Sequence, residues 1–267
     1  MAFKDARKGS GLYRAEVVRT REVTPHMRRV TVQGEELKKL PHRGFDHWFR
    51  LFLPQPGHEV DFSRVPNNLS MGSYFKFLTS PSGTRPVFRS YTVRELRPEV
   101  GEMDIDFVVH GDHGVAGPWA QRASAGDQIA LIDQGCGFDL FDDADFHLLA
   151  GDESAVPALL GILRDLPKDA KGLAIIEVPT RADIQSAPTP TGFEVMWLAR
   201  EGSTQPVGAA ALTALREFTP ENPQTLSAYV VGERVLATEG RRHLVKVGVP
   251  KARISFVGYW RAGKAQI

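Results

Sequence analysis

The alternation of apolar and polar positions changes rhythm once along the chain, near residue 142. Before that point short runs alternate the two classes or cluster β-branched and aromatic side chains. They are Leu12-Tyr13-Arg14-Ala15-Glu16-Val17-Val18, residues 27–32, residues 47–53, Arg89-Ser90-Tyr91-Thr92-Val93-Arg94, residues 103–109 and residues 128–132. Pro, Gly or polar breaks bound each run, so each predicts a strand. Six short strands with little helical patterning between them predict an antiparallel barrel over 1–142, an architecture that closes its own edges. Residues 54–84 interrupt the series with a Pro-, Gly-, Asn- and Ser-rich stretch, whose aromatic piece Tyr74-Phe75-Lys76-Phe77 is expected to strap the barrel, a lid over a site being the alternative. Beyond residue 142, residues 146–150, 173–178, 193–198 and 226–231 are largely apolar runs suited to a sheet covered on both faces. Helical patterns at about 155–166, 208–217 and 233–247 separate them, which predicts an open parallel α/β sheet over 143–267.

A chain of 267 residues is long enough for two domains with their own cores. Its 33 basic and 32 acidic residues leave a net charge of +1, so no global field draws it to nucleic acid or to a membrane surface. The single cysteine, Cys136, excludes an intrachain disulfide framework and any multi-cysteine metal or iron–sulfur site, and reads as a bystander thiol. The charged start lacks an apolar run, and no stretch approaches the roughly 18 apolar residues of a membrane span. A soluble, cytoplasmic monomer is the expectation.

Three stretches carry chemistry. In the Arg89 strand, side-chain alternation puts Arg89, Tyr91 and Val93 on one face and Ser90, Thr92 and Arg94 on the other. A guanidinium fork suits a phosphate, a phenol ring suits a planar heterocycle, and a hydroxyl or amide suits the heterocycle's edge. A flavin dinucleotide uses all three, although an exposed strand with solvated arginines fits these six residues equally well. The turn from His110 to Ala120 contains Gly111, Gly114 and Gly117, and a helix from Val115 to about Ala123 offers free amides to a pyrophosphate. An ordinary strand–turn–helix is the alternative there, and His110 with His113 lacks a third ligand for a metal. The turn Gly151-Asp152-Glu153-Ser154 follows the first strand of the α/β half, where such sheets bind nucleotides. It has one glycine, and its two acids favour a helix start while repelling phosphate. Ser154 offers a hydroxyl to a ribose or phosphate.

Together with Gly232-Glu233 and Gly258-Tyr259-Trp260-Arg261-x-Gly263, these motifs resemble the siderophore-interacting proteins, flavin-dependent ferric-siderophore reductases of the ferredoxin-reductase-like superfamily. The resemblance spans nearly the whole chain in the right order. It departs at the middle turn, where the family has Gly-Pro-Ala and a hydroxyl residue and this chain has Val115 and Gly117. It implies an FAD-binding β-barrel over 1–142 and an NAD(P)H-binding α/β domain with a C-terminal tail over 143–267. Arg89 would meet the FAD phosphate, Tyr91 the flavin and Thr92 the ring edge, with Ser90 and Val93 beside them and Arg94 as a second anion contact. Asp106, His110, Gly114, Ala116, Gly117 and Trp119 would line the same cofactor. Gly151, Asp152, Glu153 and Ser154 would serve NADPH or NADH, and Arg181, placed for a 2′-phosphate, favours NADPH. Lys76, Arg50, Tyr259, Trp260, Arg261 and Lys264 would form a rim for an anionic ferric siderophore. Electrons would pass from NAD(P)H through FAD to chelated Fe(III), with no catalytic acid–base pair and no protein metal ligand. A non-catalytic siderophore carrier, a ferredoxin-driven reductase and a general NAD(P)H:flavin reductase are the alternatives within the same fold.

Overall fold

The structure, a computed structural model, describes residues 11–54, 62, 87–111 and 114–264. They form two compact units. Of the described residues, those from 11 to 43 and from 47 to 136 belong to the first, and Gly44–Asp46 with those from 137 to 264 to the second. The strap expected at Tyr74–Phe77, with Lys76, lies outside the described residues.

The first unit is one antiparallel sheet of seven strands: β1 (Leu12–Thr24), β2 (Met27–Gln33), β3 (Trp48–Leu53), β4 (Val87–Thr92), β5 (Glu95–Arg97), β6 (Glu102–Val108) and β7 (Gln128–Gly135). A seven-residue helix, α1 (Ala116–Arg122), lies between β6 and β7. The sheet order is β4-β3-β7-β1-β2-β6-β5, so its two edge strands are joined in the chain by Val93 and Arg94 alone. The Val93 amide donates to His47 beside β3, while the next amide, of Arg94, donates to Asp104 in β6. Two successive amides thus reach towards opposite edges of the sheet, which requires it to curl. Inside lie Val30, Val32, Phe49, Leu51, Met103, Ile105, Phe107, Ile129 and Leu131, all essentially inaccessible.

Charges reinforce this curl. In the β2–β6 register Arg29 stands opposite Asp106 and Thr31 opposite Asp104. Arg29 grips Asp106 through Nε at 2.6 Å and Nη2 at 2.8 Å, and Thr31 donates to Asp104 at 2.7 Å. From β5, Arg97 donates to Asp104 and Glu102. Arg94 Nε lies 3.6 Å from Asp106, so one carboxylate faces two arginines. Opposite charges directly across a ladder fix its register.

The second unit holds five parallel strands: β8 (Phe146–Gly151), β9 (Lys171–Val178), β10 (Gly192–Ala199), β11 (Leu226–Glu233) and β12 (Ile254–Trp260), in the order β10-β9-β8-β11-β12. Helices α2 (Val156–Asp165), α3 (Ala209–Glu217) and α4 (Arg234–Lys246) connect them. The order reverses between β8 and β11, and in open α/β sheets the crevice at such a reversal, outside the carboxyl ends of the strands, is the ligand site. Glu233 caps α4 by accepting from the Val235 amide at 2.5 Å. No helix among the described residues is long and apolar enough to cross a membrane.

Candidate functional site

In the first unit the sequence-predicted cluster divides by burial. Arg89 is half-buried, and its Nη1 donates to the carbonyl of Phe88 at 2.7 Å. Among the described residues no carboxylate lies within ion-pair distance, and burial depresses the guanidinium's pKa. Tyr91 packs on Phe107 with ring centroids 4.4 Å apart, and burial raises its hydroxyl well above the usual phenol range. Thr92 and Val93 are buried, Ser90 is exposed, and Arg94 is directed at Asp106. Asp106 is therefore committed to Arg29 and Arg94 inside the unit.

Trp119 and Ala116 are core residues; the Trp119 ring sits 5.5 Å from that of Phe107. A tryptophan on a helix folded against β6 buries its apolar ring there. His110 and Gly114 are exposed, and a Cβ at Gly114, where φ is +85°, would meet nothing within 4 Å. At Gly117 an added Cβ would come within 3.2 Å of the Val108 carbonyl, so this glycine serves helix–strand packing. Arg50 lies over the Phe88 ring at 5.4 Å.

In the second unit the crevice between β8 and β11 is built around Asp152, which is fully buried. Its Oδ1 accepts from the amide and hydroxyl of Ser154 at 2.9 and 2.5 Å; its Oδ2 accepts from the Glu233 amide at 2.5 Å and from Trp260 Nε1 at 3.1 Å. Four donors use all the lone-pair directions of a carboxylate. One side chain thus ties together the ends of β8, β11 and β12. Gly232 permits it: its φ is +117°, and a Cβ there would stand 2.6 Å from Asp152 Oδ2. Gly151 has no space for a Cβ either, which would lie 2.5 Å from that of Ala155.

Glu153 is held by Arg200 through two bonds of 2.7 and 2.8 Å, and Arg200 also reaches Glu177. Glu177 in turn accepts from the Gly208 and Ala211 amides at the start of α3. Asp152 is thus buried, while the partly exposed Glu153 and Ser154 are tied by hydrogen bonds into the same carboxylate framework. At Asp152 this follows from burial, because a buried acid must find donors and the protein itself supplies them. Arg181 is exposed; its amide donates to Glu201 at 2.6 Å. Tyr259 and Trp260 are half-buried, while Arg261 and Lys264 pair across an exposed turn. Among the described residues no three His, Cys, Asp or Glu side chains gather as metal ligands.

The buried acids set opposing pH dependences. Burial, with the charge of Glu153, pushes the Asp152 carboxyl up to about 6. The folded protein therefore holds this proton more tightly than the unfolded chain, and stability falls as pH rises from about 4 to 6. In the first unit burial raises the Asp133 carboxyl, but hydrogen bonds from His47, Arg43 and the Gly135 amide outweigh it and bring it down to about 2. That contribution is present above about pH 4 and lost as pH falls towards 2. Urea midpoints measured from pH 7 downwards should first rise and then fall, and Asp152→Asn should flatten the limb between pH 4 and 6.

Comparison with known proteins fits this division. Residues 16–136 match the siderophore-interacting FAD-binding domain, and residues 144–263 match the siderophore-interacting protein domain. The ferric vibriobactin reductase of Vibrio cholerae is 34% identical over 251 residues, covering 93% of this chain and 89% of its own. The chain belongs to the siderophore-interacting protein family. The NADPH-dependent ferric-chelate reductase of Escherichia coli is 33% identical over 190 residues, covering 69% of this chain and 70% of its own. Among solved structures, a siderophore utilization protein from T. fusca superposes with a TM-score of 0.81 at 29% identity, covering 98% of this chain and 97% of the other.

Two groups in the FAD-binding domain suit a dinucleotide. A half-buried guanidinium without an acid is costly unless an anion neutralises it, and among the described residues Arg89 has no acid within ion-pair distance. The open, positive-φ backbone at Gly114 lets a ligand approach closely. These residues fit FAD. Sequence reasoning missed Asp46, Tyr229, Glu177 and Arg200, whose partners lie tens to hundreds of residues away; the buried acid in the apolar run of β9 was the one available signal.

Proposed function

We propose that this protein is a monomeric, cytoplasmic, FAD-dependent ferric-siderophore reductase that takes electrons from NADPH and delivers them singly to chelated Fe(III), releasing Fe(II). The observation that carries the reading is Arg89, a half-buried cation without an acidic partner among the described residues, within a domain whose family binds FAD. Arg89 holds a phosphate of the cofactor, and Tyr91, backed by Phe107, supports the ring system. When bound, FAD supplies the conversion of a two-electron donor into one-electron steps. Hard anionic catecholate or hydroxamate oxygens hold Fe(III) far more tightly than Fe(II), so reduction is release.

The exposed Arg261 and Lys264 attract an anionic chelate, and Trp260 is held in place beside them by Asp152. The name of the E. coli relative supports NADPH as the donor, with Arg181 facing its 2′-phosphate. The carboxylates at the β8–β11 crevice favour one second reading, a protein electron donor that places no pyrophosphate there. The test is uptake of FAD. The purified protein should retain about one FAD per chain through ultrafiltration, and a protein that stays colourless after incubation with FAD defeats the proposal.

A further inference from the structure

Gly44–Asp46 belongs to the second unit and carries the backbone feature that stands out most in it. Phe45 has a φ of +50°, the only positive value at a non-glycine residue among those described. A bulky residue in the left-handed region is strained and persists only where its surroundings fix it. They do so here. The Phe45 amide donates to Asp165 Oδ2 at 2.5 Å, its ring stacks on Phe138 at 5.5 Å, and its carbonyl lies where a Cβ on Gly161 of α2 would stand.

This strained turn delivers Asp46 into the interior at 2% exposure. The carboxyl accepts from the Gly137 and Phe138 amides at 2.9–3.0 Å and from the Tyr229 hydroxyl at 2.6 Å. Tyr229 is itself buried in β11, and its hydroxyl lies 3.0 Å from that of Tyr259. Tyr259 is half-buried and immediately precedes Trp260 and the exposed Arg261. A continuous chain of exchangeable protons therefore runs from a buried acid to Tyr259, which neighbours the proposed chelate rim in sequence.

The chain has two hydrogen-bond senses that differ by one proton. With Asp46 ionised, Tyr229 donates to it and Tyr259 donates inward to Tyr229. With Asp46 protonated, each bond reverses and the Tyr259 proton is released from Tyr229 for another acceptor. Burial raises the Asp46 carboxyl above its ordinary value, although Tyr229 and the two amides oppose the shift. The charged or titratable groups facing this chain are Asp46, Tyr229, Tyr259 and, acting on Tyr259, Asp152.

We propose that Asp46, Tyr229 and Tyr259 form a proton-delivery line that protonates a siderophore oxygen as its iron is reduced. The inference rests on the ferric-siderophore reductase reading and adds the proton to its electron. In the balanced step, Fe(III) takes one electron from the bound reductant and its bond to one ligand oxygen breaks. That oxygen takes the Tyr259 proton, Tyr259 takes the Tyr229 proton, and Tyr229 takes the Asp46 proton. Asp46 is left as a carboxylate on the Gly137 and Phe138 amides and regains a proton from water between turnovers. Tyr259 is the catalytic residue of this line, and Tyr229 and Asp46 relay to it.

The test compares two acceptors in the holoenzyme: a ferric tris-catecholate, whose ligands must take up protons, and ferricyanide, which takes only an electron. In Tyr259→Phe, and separately in Tyr229→Phe, catecholate reduction should slow at least about tenfold, the low end of what a general acid contributes, and lose most of its solvent deuterium isotope effect. Ferricyanide reduction should slow far less, so that the ratio of catecholate to ferricyanide rates falls. Equal effects on both acceptors, or none on either, overturn the proposal. Infrared spectra without cofactor or substrate should show a protonated-carboxyl band that titrates with pH and is missing in Asp46→Asn; no difference between the two proteins overturns it as well. Ferricyanide turnover by the wild type checks the reductase reading on its own.

Discussion

Arg89→Ala is expected to raise the dissociation constant for FAD by one to two orders of magnitude. A charge-assisted hydrogen bond contributes about 1.5–3 kcal/mol, and each 1.4 kcal/mol is a factor of ten. On the proposed reading the substitution removes such a bond to a phosphate without uncovering a buried acid, because Arg89 has no carboxylate within ion-pair distance among the described residues. The folded protein should therefore keep its urea midpoint, or gain slightly, since a half-buried cation is lost. Titration of apo-protein with FAD, followed by flavin fluorescence, reads the change. Arg89→Lys keeps the charge but loses the planar fork and should fall between the two. An unchanged dissociation constant would remove Arg89 from the FAD site.

Asp106→Ala should cost about 3 kcal/mol of stability, seen as a lower urea midpoint, because it strands Arg29, whose side chain is 11% exposed. Asp104 lies 3.8 Å from Arg29 and compensates in part. Arg94 also loses its carboxylate, so the same variant tests what that arginine is for. If Asp106 only orients Arg94 towards an anion, FAD affinity falls along with stability. If Arg94 belongs to the ion-pair network alone, stability falls and affinity stays. Asp106→Asn, which keeps the shape and one acceptor, should cost less.

Period and spacing made much of this molecule legible. Alternation located six of the seven strands of the first unit, and the apolar runs located the β8, β9, β10 and β11 cores. The strand β5 escaped because three residues, Glu95-Leu96-Arg97, are too few to carry a period. Its role comes from charge, since Arg97 finds Asp104 and Glu102 across the ladder. The motif residues were legible as positions but less so as roles. Gly151, Asp152, Gly232, Glu233 and Trp260 were singled out from separate motifs, yet only the fold shows that one carboxylate joins them. Asp46 left no local trace, because its partner Tyr229 lies 183 residues away. Such long-range polar pairs are specified by packing, and a linear pattern does not encode them.

The measurement that most directly tests the electron path is an anaerobic absorbance record of the FAD-loaded protein. NADPH is added first, then a ferric catecholate with a ferrous trap. The account predicts that the flavin bleaches with NADPH and recovers its colour as trapped Fe(II) appears, at one flavin reoxidised per two Fe(II). Flavin that stays oxidised in NADPH, or that bleaches and then fails to recover while the chelate remains ferric, would contradict it.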